Sequence, residues 1–364
     1  MDFSFNADQD ALRTSVRAFL EAEAPMSYVR SRVETDVGVD PALWNRITDL
    51  GWHSLLIPQE CGGLGLGLID ACVVLEELGR ALFCGPFLSS AVFATIAARR
   101  LGLTDLLAQL ADGSIRGTVA IDEGGHGDPI DNIRVRATGR GGHYRLEGTK
   151  PLVMDAVGAD WVLVPARTRE GLQSFLVKNP QAVPSETLDV TRKFGSVEFD
   201  STPAEKTGPE GDHTAIWRRV AEDGAVALAA ELVGVAEAAN TLAIDYAQTR
   251  VVFDKPLSKF QVTRHKAVDM LRAFELAKVG TQYAAWASDV DAPDRSTAAA
   301  MAKSSAAEAA NFVTAECIQI HGGVGFTWDC DAHLLLRRAK VNDLLLGSQA
   351  HLRKTVADEY FTNL

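Results

Sequence analysis

The apolar residues of this chain change their period twice, and that double change limits the possible folds more than any single motif does. From residue 7 to about 115 the period is helical. Leu12, Val16, Phe19 and Leu20 recur at three- and four-residue steps, giving one stripe to bury. Leu43, Ile47 and Leu50 share a face over 41–50; then Gly51-Trp52, Ile57-Pro58 and the glycine-rich run Cys61–Leu68 predict a turn. Helix resumes over 69–79, with Gly79 as its predicted stop, and again over 91–101 and 106–110. Between about 117 and 210 the period is two. Short runs at 119–121, 133–137, 143–147, 161–164, 174–177 and 196–199 read as strands, and Gly139–Gly142 reads as a hairpin turn. From about 214 onward the chain is helical again and rich in alanine, over 215–250, 260–286, 297–320 and 334–346. Long alanine-rich helices pack closely in bundles and across subunit interfaces. The predicted class is α+β multidomain: an N-terminal helical domain (1–115), a middle antiparallel β domain of sandwich or barrel type (116–211) and a C-terminal four-helix bundle (212–364).

Charge narrows the partners. Against 36 basic side chains stand 48 acidic ones, a formal charge of −12. A field of that sign repels phosphate backbones and anionic lipid, so neither nucleic acid nor a membrane is an expected partner. The five cysteines (Cys61, Cys72, Cys84, Cys317, Cys330) form no CxxC pair and read as reduced thiols of a cytoplasmic protein. The first twenty residues carry acids where a signal peptide needs a basic segment. No run reaches the roughly 18 apolar residues of a membrane span.

Four segments, in order, carry a family resemblance. Residues 57–82 (IPQECGGLGLGLIDACVVLEELGRAL), 143–150 (HYRLEGTK), 250–261 (RVVFDKPLSKFQ) and 319–340 (QIHGGVGFTWDCDAHLLLRRAK) together resemble the acyl-CoA dehydrogenase family. They span nearly the whole chain and fall on the α, β and α thirds expected of that family. The resemblance implies FAD shared across a dimer interface, an acyl-CoA thioester substrate, α,β-dehydrogenation with a carboxylate as base, and an electron-transferring flavoprotein as acceptor.

For the diphosphate half of FAD, the resemblance points to Arg250, Phe253, Gln261, Gln319, Gly322 and Gly323. An arginine fork suits a pyrophosphate, and paired glycines admit a close backbone approach. Asp254 stands where the family has glycine. For the flavin ring the pattern departs further. The family's loop T-E-x-x-x-G-S-D corresponds to residues 120–129, where Asp122-Glu123 match its start but His126-Gly127 stand near the missing serine. The W-I-T-N stretch corresponds to Leu152–Asp155, without its aromatic or hydroxyl groups.

The base is absent from both positions the family uses. One corresponds to Leu346, counted from Arg337-Arg338; the other corresponds to Gly224, counted back along the helix ending at Arg250. Neither residue can take a proton. Glu222 and Asp223 lie beside Gly224, and Asp343 lies one helical turn before Leu346. These three are the fallback bases, each with an ordinary solvated or helix-capping role as the alternative. Three functions follow. The chain resembles the smaller, base-lacking subunit of bacterial heterotetrameric acyl-CoA dehydrogenases of steroid side-chain breakdown, built from two copies of each of two paralogous subunits. The alternatives are a self-sufficient homotetrameric dehydrogenase with a displaced base, and a flavin-free binding protein of the same fold.

Overall fold

The computed structural model describes residues 5–125 and 127–362; His126 lies outside them. The chain runs through helices, a β barrel and helices again. The first part holds α1 (Ala7–Glu23), α2 (Met26–Ser31), α3 (Pro41–Asp49), α4 (Leu68–Arg80), α5 (Thr95–Leu101) and α6 (Thr104–Ala111). Asn6 starts α1 with a capping box: its side chain accepts from the Gln9 amide at 2.9 Å, while its own amide donates to the Gln9 side chain at 3.0 Å. Between α4 and α5, residues Phe87–Ala94 form a π-helix, where sequence periodicity alone predicts ordinary helix.

Gly79 does not stop α4, which continues through Arg80. It lies where α4 crosses the long helix α7 (Thr214–Thr249): a Cβ on Gly79 would come 2.2 Å from the Glu231 carbonyl oxygen, and one on Gly234 would come 1.8 Å from that of Glu76. The two glycines let the backbones touch.

The middle part contains β1 (Gly117–Val119), β2 (Arg136–Arg140), β3 (His143–Met154), β4 (Trp161–Thr168), β5 (Gly171–Lys178), β6 (Ala182–Ser185) and β7 (Phe194–Thr207). The predicted β2–β3 hairpin is present, with Gly141 and Gly142 both at positive φ as a type I′ turn requires. Strands β4, β2, β3, β7 and β5 pair in a ring, because β5 returns to β4. This closed barrel is mostly antiparallel, but β1 and β2 pair with β4 in parallel. Val135, Leu146, Val162, Val164, Phe175, Val197 and Phe199 fill its interior.

The last part contains α7, α8 (Gln261–Asp289), α9 (Arg295–His321), α10 (Ala332–Leu344) and α11 (Gln349–Thr362), with a small β8–β9 hairpin (Val251–Val252 and Lys255–Pro256) after α7. Helix α11 extends the four helices predicted from sequence. Helix α7 is long and apolar enough to cross a membrane, contrary to the sequence expectation, but most of its apolar window is buried inside the protein. An ionic knot fastens the segment before β7 to the bundle. The fully buried Arg338 pairs with Asp189 and donates to Glu231 at 2.5 Å and to Thr191 at 2.7 Å.

Candidate functional site

The two positions where the family carries its base meet each other. Helix α7 is unbroken and carries both Gly224 and, at its C-terminal end, Arg250. Helix α10 ends at Leu344; Leu345 is extended and Leu346 adopts φ 55°, a left-handed conformation that costs a leucine roughly 1–2 kcal/mol. That turn brings Leu346 onto α7. A Cβ on Gly224 would lie 2.8 Å from Leu346 Cδ1 and 3.0 Å from Phe93 Cε1. Leu346 is therefore a plug seated on Gly224, with Phe93 of the π-helix beside it.

The plug borders what remains of the flavin-ring position. Phe93, Val119, Ile121, Asp122, Leu152, Met154, Leu345 and Leu346 enclose about 30 Å³, room for a water or two and far short of a fused three-ring system. Both ring-contacting segments are fixed in other roles. Glu123 pairs at 2.6 Å with Lys150, whose side chain is fully buried, and accepts from the Arg134 amide at 2.6 Å. Burial lowers Lys150 to about 8 against the pull of Glu123. Asp155 is left-handed at φ 49° and its carboxyl accepts from Ser89 Oγ at 2.6 Å; burial raises it to about 6. A space of about 30 Å³ does not fit the isoalloxazine of FAD.

The fallback bases point in three directions. Asp223 is buried rather than solvated or capping; it accepts from Arg100 at 2.9 Å and from Ser288, and lines a cleft of about 350 Å³ with Arg99, Arg219 and Asp289. Glu222 lines a separate cleft of about 190 Å³ with Leu346, Ser296 and His351. Burial raises the pKa of both carboxyls. Asp343 accepts from Asn311 at 2.8 Å and Gln349 at 3.1 Å. It does not share a helix face with Leu346, because α10 stops between them.

The diphosphate face is open. Arg250, Gln261, Gln319, Gly322 and Gly323 are exposed, and Phe253 is 85% exposed. Arg250 makes no ion pair among the described residues. Phe253 and Asp254 form the β8–β9 turn with φ 50° and 59°; a left-handed position explains the family's glycine there, and aspartate tolerates it. A Cβ on Gly323 meets nothing within 4 Å, and its φ is not in the left-handed range. Nothing within the chain requires glycine at 323, although glycine costs roughly 0.5–1 kcal/mol relative to alanine in a helical segment. The open space over Gly323 leaves its backbone accessible from outside the chain, which is compatible with the close approach that the resemblance implies for a diphosphate. Sequence reasoning missed Phe93, the pairing of Glu123 with Lys150, and the stacked pair Tyr246 and His321, whose ring centroids lie 4.2 Å apart. Tyr246 lies one helical turn before Arg250, a spacing legible in the sequence.

Helices, a closed barrel and a helical bundle in this order form the acyl-CoA dehydrogenase fold, and the chain belongs to the acyl-CoA dehydrogenase family. Residues 6–102 match its N-terminal domain and residues 214–361 its C-terminal domain. The acyl-CoA dehydrogenase IpdE2 of Mycolicibacterium smegmatis is 32% identical over 97% of this chain and 99% of its own length. Two solved structures are similar throughout. A variant of the Tcur3481–Tcur3483 steroid acyl-CoA dehydrogenase has TM-score 0.90, 29% identity and 98% of each chain covered. The ChsE4–ChsE5 complex from Mycobacterium tuberculosis has TM-score 0.89, 28% identity and 99% of each chain covered.

Proposed function

We propose that this chain is the non-catalytic subunit of a heterotetrameric, FAD-dependent acyl-CoA dehydrogenase, completing a flavin site whose ring and base belong to a paralogous partner. The observation that carries the reading is the contrast between the two halves of the site. The space at the expected ring position is filled by Leu346 against Gly224 and Phe93, whereas Arg250, Gln261, Gln319, Gly322 and Gly323 are exposed. Packing and catalysis are separable demands, so a family fold survives the loss of its base. The outward side of α8 supports association: Leu276 and Val279 are exposed, and Gly280 sits mid-helix with open space over it.

In such a complex Arg250 would hold the diphosphate, Gly322 and Gly323 would let backbone approach it, Gln261 and Gln319 would offer amide donors, and Phe253 would pack alongside. When bound, FAD supplies the two-electron acceptor for oxidation of an acyl-CoA to its 2,3-enoyl-CoA, with electrons passing on to an electron-transferring flavoprotein. The steroid dehydrogenase among the similar structures supports a ring-bearing acyl group. The expected location is cytoplasmic.

Flavin stoichiometry tests this. The chain is purified alone and after co-expression with a paralogue encoded beside it, and FAD is read from absorbance. A colourless lone chain and a complex with about one FAD per pair of subunits is the expected result. A yellow lone chain near one FAD per subunit refutes it, and a complex without flavin favours the flavin-free binding protein. The self-sufficient enzyme keeps one supporting observation, because Glu222 shares its cleft with Leu346. That reading requires a yellow homotetramer whose turnover is lost in Glu222→Gln.

A further inference from the structure

The open face is assembled from two separate stretches of chain, the end of α7 with Arg250 and the end of α9 with Gly322–Gly323. Both helices present their C-termini here, and each C-terminus carries roughly half a negative charge, which opposes an anionic ligand. The N-terminus of α8 at Gln261 offsets part of this. Arg250, with a long side chain rich in rotamers, must supply much of the attraction. Its contribution therefore depends on how firmly it is held over the glycines.

Its backbone is held from both sides. The Arg250 amide donates to the Tyr246 carbonyl at 2.8 Å, and its carbonyl accepts from the Leu257 amide at 2.9 Å. Tyr246 in turn lies flat against His321, with centroids 4.2 Å apart and planes 24° apart. The buried His321 ring is itself oriented: Nδ1 lies 2.8 Å from the Cys317 carbonyl, which can only accept, so Nδ1 carries the proton. His321 immediately precedes Gly322, which adopts φ 65° and ψ −145°, a region reserved for glycine. Four residues of helix separate Tyr246 from Arg250, about 6 Å of rise, within the reach of an arginine side chain.

We infer that the Tyr246–His321 stack is a positioning clamp for the diphosphate half of the cofactor: it sets the spacing between Arg250 and the Gly322–Gly323 backbone. The inference rests on the shared-cofactor reading above. Tyr246 and His321 are positioning residues, because they act through Arg250 and the glycines. Neither the barrel nor the Leu346 plug uses them, and an aromatic pair at this geometry is worth only a small part of the fold's stability.

The test measures FAD affinity of the reconstituted two-subunit complex by flavin fluorescence, with melting temperature and subunit assembly followed in parallel. His321→Ala and Tyr246→Leu should each weaken FAD binding about 3- to 10-fold, with assembly unchanged, and Tyr246→Phe should restore affinity. Because the clamp acts through Arg250 and the glycines together, the double variant Arg250→Ala/His321→Ala should lose less than the product of the two single losses. Unchanged affinity in both single variants overturns the clamp, as do losses that multiply in the double variant. A wild-type complex that takes up no FAD instead overturns the shared-cofactor reading, and the clamp falls with it.

Discussion

The contact between Gly224 and Leu346 can be measured as a coupling energy. Replacing a mid-helix glycine by alanine ordinarily stabilises a helix by about 1 kcal/mol. At position 224 the new methyl would sit 2.8 Å from Leu346 Cδ1 and 3.0 Å from Phe93 Cε1, and overpacking of this kind costs about 1–3 kcal/mol. Gly224→Ala alone should therefore be neutral to about 2 kcal/mol destabilising. Leu346→Ala removes a side chain that is only 8% exposed. Its cost should fall near the lower end of the usual range, about 2–3 kcal/mol, because a space of about 30 Å³ already borders the site. In the double variant the clash with the leucine is gone, and the alanine methyl fills part of the space left behind. The pair should cost about 1–2 kcal/mol less than the sum of the singles. Urea unfolding of the four proteins, followed by far-ultraviolet circular dichroism at matched m-values, gives the cycle. Costs that add within about 0.5 kcal/mol would mean that Leu346 does not sit on Gly224, and the closed-site argument would lose its basis.

Two further perturbations probe the replaced flavin-ring segments. Burial raises Asp155 to about 6, so between about pH 4 and 6 the native state holds a proton that the unfolded chain releases. Stability from this group is full below that window and falls as pH rises through it. Asp155→Asn, which suits the left-handed backbone at φ 49°, should gain about 2–3 kcal/mol at pH 8 and nothing near pH 4; a gain independent of pH refutes the assignment. Glu123→Gln should strand the buried Lys150 ammonium and cost about 3–5 kcal/mol in chemical denaturation. Adding Lys150→Met should recover most of that loss, and a second variant no better than the first would show that the pair is not the anchor.

Legibility in the sequence followed the range of the interactions. The three-part fold could be read because periods of 3.6 and 2 are written in neighbouring residues such as Val16 and Leu20 of α1 or Trp161–Val164 of β4. The hairpin at Gly141–Gly142 was legible for the same reason. Gly79 was misread as a stop because its requirement comes from Glu231, more than a hundred residues away. The barrel's parallel β1–β4 pairing is also long-range and leaves no local mark. At the candidate site, family spacing pointed to Arg250, Gly322, Gly224 and Leu346 by position alone. It gave no sign that Gly224 and Leu346 touch, that Phe93 joins them, or that Tyr246 lies on His321.

The apolar residue at 346 and the small space beside it share one packing contact. A glutamate at 346 would hold a charge in a pocket walled by Val119, Ile121, Leu152 and Met154, where it needs a hydrogen-bond partner to stay ionised. A leucine there needs none, but it needs room, and Gly224 provides that room on α7. The small residue on α7 and the leucine therefore suit each other, and together they make packed core. The other end of α7 faces no such choice. Arg250 and the Gly322–Gly323 pair lie there beside helix ends and the Tyr246–His321 stack, with Tyr246 about 33 Å along the helix from the plug at Gly224. Helix α7 carries both regions at once, Gly224 toward its start and Arg250 at its end. The same continuous helix thus carries a closed, apolar contact near its start and an exposed arginine at its end, which is the division that the proposed shared site requires.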